Sequence, residues 1–288
     1  MNIHAPHPSR SQDYRFTDDD FRIIADFAKS RFGLDLQTSK KPLVYSRLAK
    51  RLRALGLNDF SQYCSNLLDE ANATEISHLL SALTTNVTHF FREKHHFDYL
   101  ADVVTPQIFE KAKSGESIRL WSAACSAGQE AYCIAATLLK AKPEIARLNL
   151  RILATDIDPK MIAHAKVGRY DNDQKSAIPT KMQSLMLTKE AHGDALQIAQ
   201  PLRDLISFAE LNLIDSWPMR KSYDVIFCRN VAIYFDKATQ ADLWQRFAQA
   251  LKPGGHLIIG HSERLSGPAM SQFRSAGVTT YIKNTPTI

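Results

Sequence analysis

The chain of 288 residues lacks several features that would each have named a class. No run of 18 apolar residues occurs, which argues against a transmembrane helix. Residues 1–13 are polar, with proline and histidine and no apolar signal-peptide centre; they read as a disordered leader. The four cysteines (Cys64, Cys125, Cys133 and Cys228) are scattered, without a C-x-x-C pair. They are expected as reduced, buried thiols in a cytoplasmic protein. The ten histidines include the pair His95-His96 but no His/Cys cluster with ligand spacing, so no metal is expected. A G-x-G-x-x-G fingerprint is also missing, which weighs against a dinucleotide-dependent dehydrogenase.

What is present suffices for one large or two ordinary domains, at 44% hydrophobic and 23% charged residues. The net charge of +6 reads either as a solvated basic surface or as a surface for an anionic partner: nucleic acid, a membrane or an acidic protein.

Residues 14–84 have helical periodicity throughout and predict a small all-α domain. Thr17 and Asp20 form a capping box before the first helix, Phe16 can staple to Phe21, and Gly33 is a stop. A second helix is expected from about Pro42 to Leu55, with Val44, Leu48, Leu52 and Leu55 on one side and Arg47, Lys50, Arg51 and Arg53 on the other. Phe60 to Leu68 and Ile76 to Leu83 mark a third and a fourth. Eight Lys/Arg and one acid, Asp35, lie between Lys29 and Gly56. This basic face is either solvated or a docking face for an acidic helix or phosphates. No aromatic residues interleave with the cations of residues 47–53, as single-strand nucleic-acid stacking would want.

Residues 85–115 read as a linker and helix. Thr84-Thr85-Asn86-Val87-Thr88-His89-Phe90-Phe91-Arg92 is either a capped linker whose aromatics fill an interdomain seam or a polar lip over a ligand. Thr105-Pro106 is a possible fresh helix start. The chain is organised around residues 118–158. Ile118 to Ala123 reads as a strand, Ala124 to Gly128 as a small-residue turn, and the apolar pattern to about Lys142 as a helix. Arg151-Ile152-Leu153-Ala154-Thr155-Asp156 is a second strand with an acidic end. This is the opening βαβ unit of a nucleotide-type α/β fold, and its turn is either a nucleoside-cofactor site or a plain structural turn.

Residues 168–204 are too long for a bare loop and predict an inserted subdomain. Leu185, Leu187, His192-Gly193-Asp194, Leu196 and Ile198 suggest a hairpin there. Leu205 to Phe208 is a third strand. Asn212 beyond it is either a turn residue or a contact to an adenine edge. Tyr223 to Cys228 is a buried strand, and Arg229-Asn230 at its carboxyl end is either a buried ion pair or a ligand site. Asp242 to Leu251 is helical, Lys252-Pro253-Gly254-Gly255 is a turn, His256 to Gly260 a fifth strand, and residues 273–282 a closing hairpin.

Asn86-Val87-Thr88-x-Phe90-Phe91-Arg92, the Trp121–Glu130 turn and Thr155-Asp156-Ile157-Asp158 together resemble the CheR-type methyltransferases, which methylate glutamates of chemotaxis receptors. The resemblance extends to about Ser262. It implies an α/β fold: a Rossmann-like, seven-stranded S-adenosylmethionine methyltransferase sheet over residues 116–288, with a small β-subdomain inserted at about 168–204 and an all-α domain in front. The implied cofactor is S-adenosyl-L-methionine, leaving as S-adenosyl-L-homocysteine. By residue-wise match Glu130 or Asp156 holds the ribose, and Asn212 and Leu213 border the adenine. Asn86, Thr88, Arg92, Arg229 and Asn230 surround the amino-acid end and sulfonium. Arg92 and Tyr234 are candidates for orienting the acceptor and lining the transfer site. Arg47, Lys50, Arg51 and Arg53 would then dock the acidic helical region of a chemoreceptor, and the insert, which in some members docks a receptor tail peptide, is a candidate for the same here. The chain departs from the family's two adjacent acids by Gln129 and from a following proline by Ala131. A monomer is expected, without nucleic acid or membrane insertion. A nucleic-acid methyltransferase is the alternative, but the Asn/Asp-Pro-Pro-aromatic motif of its amino-methylating enzymes is replaced here by Arg229-Asn230-Val231. A non-catalytic cofactor sensor is the other.

Overall fold

The computed structural model describes residues 14–69, 72–84, 86–188 and 195–285. The expected leader and the His192-Gly193-Asp194 turn lie outside them. The chain divides into two compact units, Met1–Thr85 and Asn86–Ile288.

The first unit is helical: α1 (Asp18–Phe32), α2 (Lys41–Leu55), α3 (Phe60–Leu67) and α4 (Ala73–Leu83). The capping box forms: Thr17 Oγ1 accepts the Asp20 N–H, and Asp20 accepts the Thr17 N–H. Phe16 meets Phe21 edge-on at 6.3 Å, and Gly33 closes α1 at φ 76°. Ile24, Leu48, Leu52, Phe60, Tyr63 and Leu79 are fully buried in this unit.

The second unit begins with α5 (His95–Tyr99), a π-helical turn (Leu100–Val104) and α6 (Thr105–Lys113). The expected helix is here, and α6 begins at Thr105-Pro106, joined to α5 through the π-helical turn without a break. Pro106 has no N–H for a regular turn, and the wide turn before it is closed by both the Thr105 N–H and the Thr105 hydroxyl (2.7 Å) on the Leu100 carbonyl. Phe97, Leu100, Val104 and Ile108 bury their stripe in this unit's main core.

There follow β1 (Ile118–Ala123), α7 (Gln129–Ala141), β2 (Leu150–Asp156), α8 (Pro159–Val167), β3 (Arg169–Asp171), α9 (Thr180–Met186), β4 (Ala195–Gln197), α10 (Gln200–Arg203), β5 (Ile206–Glu210), β6 (Tyr223–Cys228), α11 (Lys237–Ala250), β7 (Leu251–Ile259), β8 (Phe273–Gly277) and β9 (Thr280–Lys283). The main sheet has seven strands in the order β5-β2-β1-β6-β7-β9-β8. β5 to β7 are parallel, and β9 runs antiparallel to both its neighbours. The order reverses between β1 and β6, which is where open α/β sheets leave a ligand crevice. One face packs α7 and the α5–α6 run, the other α11, with Trp121, Trp244 and Phe247 at its centre.

Two local readings change. Lys252-Pro253-Gly254-Gly255 belongs to β7, as an irregular start where the register on β6 shifts between Tyr223 and Val225. In the insert, Leu185 lies on α9 rather than in a hairpin strand; β4 pairs antiparallel with β3, and Leu187 bridges Ile198. A helical turn and a strand share the same run of leucines, so alternation alone overcounted the strand.

Candidate functional site

Asp156 ends β2, and Glu130, Asn212 and Arg229 follow the carboxyl ends of β1, β5 and β6, so that four neighbouring parallel strands are represented. The backbone around them is strained. Among the described residues, six non-glycine positions have left-handed φ: Phe91 (54°), Glu93 (56°), Ala124 (66°), Ser126 (50°), Asn230 (58°) and Thr279 (50°). The first five lie in the loops that carry this cluster. Such conformations cost on the order of 1–3 kcal/mol each and persist where the surroundings fix them. Gly128 (φ 94°) begins α7 so close to α8 that an added Cβ would lie 2.8 Å from Ala165 Cβ.

Arg229, 6% exposed, is the hub. It donates to Glu130 Oε2 (3.0 Å) and to the Arg92 carbonyl, approaches Glu93 (3.5 Å), and lies 5.6 Å from the Phe97 ring centroid. Its Nε is buried without a partner. Glu130 also accepts the Ser122 hydroxyl at 2.6 Å; burial pushes its carboxyl up, against the pull of Arg229. Glu93 accepts His261 Nδ1–H (2.9 Å) and the Asn230 amide (3.3 Å). Burial works to raise its carboxyl, but the His261 hydrogen bond and the Arg229 charge outweigh it and hold Glu93 down at about 2. His96 is held neutral at about 3, first by burial and then by Arg229.

Asp156 accepts the backbone N–H of Asp158 on one oxygen (3.0 Å) and of Ser126 on the other (2.7 Å). The Ile157 N–H also points at this carboxylate, which keeps part of its acceptor capacity. Burial raises this carboxyl to about 6, offset in part by those N–H bonds. Asn86 reaches Asp158 at 3.4 Å, and its carbonyl accepts the Ser126 hydroxyl at 3.4 Å. Beyond β5, Asn212 Oδ1 accepts the Ile214 N–H (3.3 Å), and Leu213 is buried, its carbonyl taking Arg246 Nη1–H at 2.7 Å. Gln129 turns its amide to Gln174 (3.2 Å), and Ala131 is fully buried.

Sequence reasoning missed Glu263. Its carboxylate accepts four backbone N–H groups, from Asn230 (3.0 Å), Val231 (3.0 Å), Ala232 (2.8 Å) and Gly260 (2.6 Å). It ties the loop after β6 to the end of β7. Gly260 is required there: a Cβ would lie 2.6 Å from Asn230 Nδ2. Tyr234, half-buried, ends the short turn that Glu263 holds. Arg92 donates to the Val87 carbonyl (3.1 Å), and Thr88 is half-buried in the same segment. Phe90 packs edge-on to Tyr170 (5.1 Å) and Phe91 to Phe97 (5.3 Å) within the second unit's core. All four cysteines are buried and unpaired. Burial raises the thiols of Cys125, Cys133 and Cys228, which removes a thiolate nucleophile. Glu93, His95 and His96 bring three ligand-type atoms within 4.8 Å, but Glu93 already serves Arg229, Asn230 and His261.

The four basic residues of α2 divide. Arg47 donates to the Ala82, Leu83 and Thr84 carbonyls, at the carboxyl end of α4. Arg51 pairs with the buried Glu75 at 2.6 Å, which also accepts the Tyr63 hydroxyl at 2.9 Å. Lys50 and Arg53 are exposed. Only the latter two keep the outward orientation that the sequence reading gave all four.

Residues 19–84 match the family description "CheR methyltransferase, all-alpha domain", and residues 86–282 match "CheR methyltransferase, SAM binding domain". A probable chemotaxis protein methyltransferase of Rhizobium etli is 48% identical over 251 residues, 86% of this chain and 94% of that protein. The chemotaxis protein methyltransferase of Salmonella typhimurium is 39% identical over 274 residues, 94% and 92% of the two chains. That of Escherichia coli K12 is 38% identical over 268 residues, 92% and 91%. With both domains matched in order over most of its length, this chain belongs to the CheR methyltransferase family.

Proposed function

We propose that the protein transfers a methyl group from S-adenosylmethionine to glutamate side chains of chemoreceptors, forming methyl esters. The observation that carries this reading is the convergence of Glu130, Asp156, Asn212 and Arg229 at the carboxyl ends of β1, β2, β5 and β6, within a region that matches a SAM binding domain.

The residues fit such a cofactor. Asp156 keeps acceptor capacity for a ribose hydroxyl, whereas Glu130 is committed to Ser122 and Arg229. Arg229, with its unpartnered buried Nε, Asn230, Asn86, Thr88 and Arg92 take the amino-acid end, and Asn212 and Leu213 border the adenine. When bound, the cofactor supplies an electrophilic methyl group on a sulfonium. A glutamate carboxylate is already ionised near pH 7, so the protein need supply no general base. Its task is to position the acceptor and exclude water. Arg92, which spends one guanidinium N–H on Val87, keeps others to orient the incoming carboxylate as a bidentate pair. Tyr234 lines the transfer position through its hydroxyl.

Lys50 and Arg53 steer the acidic receptor helix, while Arg47 and Arg51 chiefly hold the first unit together. A receptor tail peptide adds a strand to the small β3–β4 sheet. The protein works as a monomer in the cytoplasm, without a metal. The deciding experiment is transfer from methyl-labelled S-adenosylmethionine to receptor cytoplasmic fragments, then alkali treatment of the product. Release of labelled methanol is expected for a carboxyl ester; alkali-stable label would move the acceptor to nitrogen or carbon. Arg92→Ala and Tyr234→Phe are expected to lower turnover, and wild-type rates in both would remove those two roles.

A further inference from the structure

Beside the α5–α6 run, and lined also by α7 and the start of α9, lies a cavity of about 500 Å³. None of the cofactor or acceptor groups assigned above lines it. Its apolar wall includes Phe91, Phe97 and Met182. Thr137 also lines it; this residue is 5% exposed, and its Oγ1 has no hydrogen-bond partner.

The charges at the rim are lopsided. Lys94 is spent on Asp98 at 2.6 Å, and Lys142 sits over the Phe109 ring at 5.1 Å. Lys140 and Lys181 are exposed and make no ion pair among the described residues, against one further acid, Asp102. The π-helical turn supplies Ala101 and Asp102 to the wall. Wide turns of this kind recur where a helix is shaped for a ligand. The volume falls within the ordinary range for small-molecule sites, roughly 300–1,000 Å³.

We propose that this cavity binds a small amphiphilic organic anion. Its flat apolar body lies against Phe91, Phe97 and Met182, and its anionic group is held by Lys140 and Lys181. Phe97 is the ring that faces Arg229, so an occupant that shifts Phe97 bears on the strand-end cluster. The site itself stands apart from the methyl-transfer reading, because its test needs no turnover.

The probe is anilinonaphthalene sulfonate, an aromatic anion that fluoresces on leaving water, titrated into the full-length protein. Saturable one-to-one binding is expected. Lys140→Glu/Lys181→Glu, at two exposed positions, should weaken it by about tenfold or more. Ala101→Trp should fill the cavity and abolish it, with unchanged circular dichroism confirming the fold. The same charge change at Lys166 and Lys237, away from the cavity, should leave binding as it is. Affinity unaltered in the double-glutamate variant, equal loss in the Lys166/Lys237 control, or no saturable binding at all would each overturn the site.

Discussion

Asp156 carries an ionisable group whose role and environment pull against each other. Burial holds its carboxyl at about 6, above its ordinary 3.8. In the protein alone, the stability that this raised value contributes is fully present below 3.8 and is lost as pH rises through about 6. Ribose hydroxyls need the ionised form as acceptor, so cofactor affinity should strengthen as pH rises through about 6, with release of a proton. Calorimetry in buffers of different ionisation enthalpy reads both effects. Asp156→Asn should bind weakly and without that pH dependence; a flat wild-type profile would take Asp156 out of the ribose site. Glu263 makes a second residue-level case. Its replacement by alanine strands four N–H groups and should cost about 3 kcal/mol in urea unfolding, with weaker cofactor binding because Asn230 loses its left-handed hold. Asp156 and Arg229 were legible in the sequence because one ends an apolar strand and the other directly follows one. Glu263 was not: its partners Asn230 to Ala232 lie more than thirty residues away, and what it binds is backbone, which leaves no side-chain signature.

Among the elements, α2 separates stability from docking. Arg51→Ala leaves Glu75, 1% exposed, with an uncompensated charge and should destabilise the first unit by roughly 3–5 kcal/mol. Lys50→Glu/Arg53→Glu changes two exposed residues and should leave thermal unfolding nearly unchanged while raising the receptor KM, most at low salt. Salt-independent KM values equal to wild type would refute the docking role. The sequence displayed this helix and its charged face plainly. It could not show which cations fold inward, since Glu75 lies on another helix, 24 residues on. The insert had the same difficulty. The length of residues 168–204 announced a subdomain, but β3 finds its partner β4 across α9, and no local alternation reports such a pairing.

At the scale of the molecule, every residue assigned to the cofactor lies in Asn86–Ile288, and every cation assigned to docking lies in Met1–Thr85. A fragment of residues 86–288 should therefore keep cofactor affinity within a few-fold, by about 1 kcal/mol or less, and lose the salt-dependent part of receptor binding. Isothermal titration of the fragment and salt series with receptor peptides check the two halves separately. Cofactor binding lost in a folded fragment would place part of that site in the helical unit.

The left-handed residues Phe91, Glu93, Ala124, Ser126 and Asn230 have a consequence in time rather than energy. Backbone already wound into its working shape has no rearrangement to wait for. A molecule arriving at these loops meets a finished surface, and its entry is limited by diffusion and orientation. How long it stays then depends on the contacts it makes once inside, and substitutions along these loops should be felt mainly in the rate at which it leaves.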